Sequence, residues 1–230
     1  MPIFYRGDSI TPIIHLPPNV GSRSITANGT YYAIDSSLDG YSSVTVSVTG
    51  KFGALVDGSI TTVTAEDLAG VTTIRNFAFW RQGNLTSLQI PDSVTTIGDR
   101  ACQYCTSLTN VTFGSGLTSI GYEAFASSGI TSISIPNNVT TISSYAFGEC
   151  SSLVSIVIGT GVTRIYTGAF RINHALASVV VMATTPPVID NNVFYDTNNC
   201  PIFVPSGSVN AYKAASNWAS YSSRIQAIPS

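Results

Sequence analysis

From Val71 onward the chain repeats itself, and no other feature narrows its possible folds so much. The segments Val71-Thr72-Thr73-Ile74, Val94-Thr95-Thr96-Ile97, Leu117-Thr118-Ser119-Ile120, Val139-Thr140-Thr141-Ile142 and Val162-Thr163-Arg164-Ile165 start 23, 23, 22 and 23 residues apart. Seven residues after each start comes a small-aromatic pair: Ala78-Phe79, Ala124-Phe125, Ala146-Phe147 and Ala169-Phe170, with Ala101-Cys102 as the variant. An alternating apolar segment follows: Leu85/Leu88/Ile90, Leu108/Val111/Phe113, Ile130/Ile133/Ile135, Leu153/Ile156/Ile158 and Leu176/Val179/Val181. The residue missing from the third unit falls between Phe125 and Ile130, where a loop absorbs it and the register of both strands survives.

Period-2 apolarity at the end of Leu-x-x-Ile-x-Ile predicts a strand with one buried face, and Val-Thr-Thr-Ile a shorter strand or extended corner. A single unit cannot bury its apolar face alone. Stacked units bury it continuously, each strand pairing with its counterpart one coil away. Pro91, Gly114, Pro136 and Gly159 turn the chain at the same place in each coil.

The pattern resembles the BspA-type leucine-rich repeat, a bacterial and phage-borne variant with a 23-residue period, over Ser59 to about Pro187. Ala183-Thr184-Thr185-Pro186-Pro187, Asn198 to Pro205 and Val209 to Lys213 resemble the family's usual closing segment. The expected architecture is mainly β: a leucine-rich-repeat solenoid with a small N-terminal β-module and a short C-terminal helical cap. Its parts are an attachment arm (1–22), the β-module (23–50), a linker and degenerate capping coil (51–70), five repeats (71–187) and the C-terminal cap (188–230).

A solenoid exposes its core at each end unless something covers it. Ser208 is a candidate N-cap for a helix from Val209 to Ala215, with Tyr212, Trp218, Tyr221 and Ile225 over the last coil. Ser59 to Gly70 is expected to cover the other end. Asn28-Gly29 and the alternation from Tyr41 to Val48 signal a hairpin. The phrase Ile25–Val48 also resembles a short module common near the ends of phage tail and baseplate proteins of gut bacteria. Met1 to Ser22, apolar around Pro12, Pro17 and Pro18, is either a strand tucked onto that module or an arm gripping another subunit.

Only 10% of residues are charged and the net charge is −2, so there is no broad field to draw nucleic acid or acidic lipid. Met1 to Ser22 lacks a basic start followed by an unbroken apolar stretch, so no signal peptide is expected. The most apolar run, Val179 to Ala183, is too short to insert in a membrane. Synthesis in a cytoplasm, without export by the usual route, is the expectation. The 4 cysteines are too sparse for a disulfide scaffold.

Candidates for chemistry are thin. Cys102-x-x-Cys105 has metal-like spacing, but Cys150 and Cys200 stand two and about four coils away, and Cys105 and Cys150 share one repeat position, as buried packing thiols would. His15 and His174 belong to no nucleophile signature, and His174 reads as a surface loop residue. Glu66-Asp67, Glu123 and Glu149 occupy different repeat positions and are expected to be dispersed, solvated acids. No phosphate loop appears, and the sequons at Asn28, Asn84, Asn110 and Asn138 fit chance in a threonine-rich chain. Neither enzyme activity nor a cofactor or metal is expected.

What remains is surface. The outward positions of the main strand are Ser87/Gln89, Asn110/Thr112, Ser132/Ser134, Ser155/Val157 and Ser178/Val180, a nearly charge-free ladder that turns apolar towards the C-terminal end. It is either simply a soluble sheet face or a footprint for a protein or glycan. Tyr104, Tyr122, Tyr145 and Tyr166 follow the short strand and offer aromatic contacts. The family resemblance implies adhesion or host recognition. Together with the Ile25–Val48 phrase it points to a non-enzymatic virion protein of a tail, fibre or baseplate, oligomeric or held to other subunits through residues 1–50. The alternatives are a bacterial cell-surface adhesin and a structural decoration or spacer.

Overall fold

A computed structural model describes residues 61–229. The expected arm (1–22), the β-module (23–50) and residues 51–60 of the linker and capping coil lie outside the described residues.

The chain is a mainly β solenoid of parallel sheets, as its period requires. The short strands Thr73–Ile74, Thr96–Ile97, Ser119–Ile120, Thr141–Ile142, Arg164–Ile165 and Val188–Ile189 pair in sequence order into one six-stranded parallel sheet. Threonine suits this wall for a reason beyond β propensity. The hydroxyls of Thr95, Thr118, Thr140 and Thr163 donate to the carbonyls of Thr72, Thr95, Thr118 and Thr140 at 3.3, 2.9, 3.4 and 3.2 Å, each reaching one coil back.

The longer strands form the second wall. Thr62–Val63, Ser87–Gln89 and Asn110–Thr112 make a three-stranded sheet; Ser132–Ile135, Ser155–Ile158, Ser178–Val181, Ile202–Val204 and Ile225–Ala227 make a five-stranded one. The break between them falls at the 22-residue coil, where Thr131 N–H still donates to the Thr109 carbonyl at 3.3 Å.

The core is a set of columns running along the solenoid axis. Phe125, Phe147, Phe170 and Phe194 are fully or almost fully buried, and their rings stack nearly parallel at 5.2, 5.6 and 5.6 Å between centroids. Phe79 is buried too, but Cys102 lies between it and this stack. Phe113, in the column otherwise held by Ile90, Ile135, Ile158 and Val181, lies edge-on against Phe125 at 5.6 Å and supplies the ring that the cysteine coil lacks.

The third side of each coil is a run of turns with two residues in the left-handed region. Arg100, Glu123 and Tyr145 occupy one such column and Tyr104, Ser127 and Glu149 the other, all non-glycine with φ between 51° and 62°. Each such conformation costs on the order of 1 kcal/mol or more. What offsets it is a backbone ladder between coils: Cys102, Phe125 and Phe147 N–H donate to Ala124, Ala146 and Ala169 carbonyls at 2.6, 2.8 and 2.8 Å.

The repeats continue past Pro187, where the sequence pattern ended them. Val188–Ile189 joins the short-strand sheet, Phe194 extends the ring stack and Ile202–Val204 joins the long-strand sheet. Val193 in place of Ala and Cys200 in place of Leu disguise this coil. The cap follows. Tyr212 and Trp218 are fully buried, and their polar atoms donate to the Ala183 and Pro187 carbonyls at 2.8 and 2.7 Å. Tyr221 OH accepts from Phe194 N–H at 3.3 Å, and Ile225 is buried within a strand that extends the sheet rather than merely covering it.

The helix spans Val209–Ala214, and Ser208 does not cap it with its side chain. Its hydroxyl donates instead to the Thr184 carbonyl at 2.7 Å, because Ser208 closes the 3-10 turn Ser206–Ser208 in a helical backbone conformation, not the extended one of an N-cap. At the other end lies the described part of the expected capping segment, residues 61–70. Thr62–Val63 pairs with Ser87–Leu88, and the Asp67 carboxylate accepts from Thr64 N–H and Oγ1 at 2.8 and 2.6 Å.

Candidate functional site

Parallel pairing places the outward side chains of the long strands in two rows. Ser87 lies beside Asn110, and Ser132 beside Ser155 and then Ser178; Gln89 lies beside Thr112, and Ser134 beside Val157 and then Val180. The ten positions therefore fall into two registered groups, divided at the short coil. Gln89, Asn110, Thr112, Ser132, Ser134 and Val157 are exposed; Ser87, Ser155, Ser178 and Val180 are half-buried. Alternation makes this so, since Leu88, Val111, Ile133, Ile156 and Val179 point inward.

The second row does not stop at Val180. Phe203 is registered beside it, so the drier end runs Val157, Val180, Phe203. The alternation Ile202-Phe203-Val204 carries that signal in the sequence, within the segment expected to form the cap.

The turn side holds two arginine–carboxylate pairs. Glu123 Oε2 accepts from Arg100 Nε at 2.8 Å and from Gln103 Nε2 at 2.7 Å. Glu149 Oε1 accepts from Arg171 Nη2 at 3.0 Å. Partial burial works to push the Glu123 carboxyl up, but hydrogen bonds from Tyr122, Arg100 and Gln103 outweigh it and hold it below its ordinary value. The Arg171 guanidinium sits 5.0 Å from the Tyr145 ring centre, and Tyr122 meets Tyr145 edge-to-face at 5.9 Å. Tyr166 lies apart from these, beneath Arg164 at 4.7 Å.

Two expectations change here. Glu123 and Glu149 are not dispersed: they line one depression together with Tyr104, Tyr122, Tyr145 and Arg171. They sit at different repeat positions, so a search for residues recurring at one position passes over them. Nor are they merely solvated, because each is held by an arginine; pairs this exposed contribute only about 0–1 kcal/mol, so their value is in orientation.

Cys102, Cys105, Cys150 and Cys200 are buried free thiols. Burial raises the Cys102 thiol well above its ordinary value and moves Cys150 from 9.0 to about 11. Their shared position has a hydrogen-bonding task as well as a packing one. Cys105 and Cys150 Sγ donate to the Phe79 and Phe125 carbonyls at 2.9 and 3.2 Å, and Asn173 Nδ2 does the same to Phe147 at 3.0 Å. His174 is exposed on its loop and meets Asp196 at 3.0 Å. Among the described residues no three His, Cys, Asp or Glu side chains gather as a metal site would need, and no helix is long and apolar enough to cross a membrane.

The family described as BspA type leucine rich repeat region matches residues 72–201 in six copies, in agreement with the extra coil. A leucine-rich repeat protein of T. pallidum has a similar fold, with 24% identity, a TM-score of 0.50, and coverage of 74% of this chain and 87% of that one. The pneumococcal vaccine antigen PcpA is similar at 12% identity and TM-score 0.52; 73% of this chain is covered, but only 42% of PcpA. At such identities the likeness extends to fold alone. No curated protein matches the chain. With the repeat spelled out in both strand walls and in the ring column, the chain belongs to the BspA-type leucine-rich repeat family.

Proposed function

We propose that this protein is a non-enzymatic attachment module, displayed on a surface and binding a protein or glycan through the outward rows of its long-strand sheet. The observation that carries this is the register itself. Ser132, Ser155 and Ser178, and Ser134, Val157, Val180 and Phe203, are held in fixed rows by a backbone ladder. Such rows present a preorganised face, so little side-chain order has to be bought on binding. The rows carry no charged group, which suits a neutral partner, and the Val157–Val180–Phe203 end offers it dry contact.

A virion is the setting favoured by the Ile25–Val48 phrase, with residues 1–50 joining the module to other subunits or to copies of itself. A bacterial cell surface is the second setting, favoured by the family. The test is a pulldown of bacterial and host cell surfaces by the full chain. A Ser87→Arg/Asn110→Arg/Ser132→Arg variant is expected to lose capture while keeping its melting temperature. Equal capture by the variant, or none by either protein, refutes the reading. A chain that runs as a strict monomer on a sizing column counts against the virion setting.

A further inference from the structure

We propose that the turn side carries a second binding site, a notch two coils wide that takes a short neutral saccharide. One column on this side consists of Gln103, Ala126, Gly148, Arg171 and Tyr195. Their carbonyls accept from Arg81, Tyr104, Ser127, Glu149 and Ile172 N–H of the preceding coil at 2.8 to 2.9 Å, which fixes them one above another. Long side chains at Gln103 and Arg171 therefore stand on either side of a gap where Ala126 and Gly148 project almost nothing. The gap is an open depression of about 320 Å³. That is near the lower end of the ~300–1,000 Å³ common to small-molecule sites.

The walls are built for hydroxyl-rich ligands. Tyr145 lies where it does because the next coil has Gly168 at the matching position. A Cβ there would come within 2.6 Å of the Tyr145 ring, and its φ of +62° favours glycine independently. Tyr104, which is 42% exposed, flanks the same gap. Tyrosine rings give the C–H faces of a sugar an apolar surface with a polar tip. Between the rings, Glu123 and Glu149 are oriented by Arg100, Gln103 and Arg171. A carboxylate has about four acceptor sites, so each keeps capacity for ligand hydroxyls after these bonds are made.

The same wall is unsuited to a peptide. Glu123 and Tyr145 N–H already donate to the Ser144 and Thr167 carbonyls at 3.1 Å, so these groups are taken before a strand could add. The lining also has no aliphatic side chain larger than Ala126 to receive an apolar anchor. With two acids and one arginine on the lining, acidic sugars are disfavoured.

The notch and the long-strand face are separate, so each can fail without the other. The test applies the full chain to an array of neutral oligosaccharides, sialylated and uronic oligosaccharides, and peptides. Gly148→Arg fills the notch, and the nearest atom to its new Cβ is 3.4 Å away, so the coil is expected to fold with an unchanged melting temperature. Tyr104→Ala is the second variant, at an exposed position. Retention on neutral oligosaccharides that falls about tenfold or more in both variants, yet is unchanged in Ser87→Arg/Asn110→Arg/Ser132→Arg, is the expected result. No retention on neutral oligosaccharides, retention only on acidic ones or peptides, or retention unaffected by either variant overturns the proposal.

Discussion

Replacing Cys102 by Phe restores the repeat's consensus, and simple pattern logic says it should stabilise the solenoid by completing the ring stack. The structure says the opposite. Cys102 is fully buried, and the ring missing from its coil is supplied by Phe113, edge-on to Phe125 at 5.6 Å. A ring added at this fully buried position has to displace its neighbours, so Cys102→Phe is expected to act as an overpacking change and cost about 1–3 kcal/mol. Phe113→Ile, which matches the other coils, removes part of a half-buried ring and leaves space beside Cys102. Its cost is about 1–2 kcal/mol, below that of a full Phe→Ala truncation. The double variant moves the ring from one column to the other and should return to within about 1 kcal/mol of the parent, a favourable coupling of about 2–3 kcal/mol. Urea midpoints of the four full-length proteins, followed by circular dichroism and fluorescence, measure it, provided the slopes stay constant. Additive single effects, or a Cys102→Phe variant more stable than the parent, would refute the compensation between Cys102 and Phe113.

Two further outcomes follow from the buried polar groups. Asn173 Nδ2 donates to the Phe147 and Phe170 carbonyls at 3.0 and 2.9 Å, so Asn173→Leu should cost about 2 kcal/mol or more. Asn173→Cys, which puts the thiol of Cys105 and Cys150 at the same column position, should cost about half as much or less by urea unfolding; equal costs would contradict a hydrogen-bonding role. The Cys150 thiol is raised from 9.0 to about 11, so the unfolded chain releases this proton first. Stability is then fully present below pH 9 and declines as pH rises towards 11. Cys150→Ala should show a shallower decline across that window, and a parent curve flat from pH 9 to 11 would contradict the burial.

Much of the fold was legible because a solenoid repeats its burial as well as its residues. Leu-x-x-Ile-x-Ile alternates because one face meets the core, and that constraint appears afresh in every coil, from Leu88 to Val179. The cap residues Tyr212, Trp218 and Ile225 were legible for the same reason, as large apolar groups beyond the last recognisable unit. The sixth coil was missed where Val193 and Cys200 replace the marker residues, since a position can keep its burial after losing its usual residue. Ser208 misled because a hydroxyl before a helix has two acceptable partners, and only the placement of the last coil chooses between them.

The candidate sites divide along the same line. Gln89, Asn110, Thr112 and the serine rows follow from period-2 geometry, which is local. The notch does not. Gln103, Ala126, Gly148 and Arg171 are unremarkable in order along the chain, and their left-handed neighbours Tyr104, Ser127 and Glu149 give no glycine signal to mark the turns. The amino-acid order alone settled that coils stack, which strands pair and which faces are buried, because those follow from spacing. Only the folded chain decided which side chains from different coils meet, where a missing ring is replaced, and where two small residues open a gap. Those outcomes depend on volumes and hydrogen bonds between residues of neighbouring coils, and no local pattern records them.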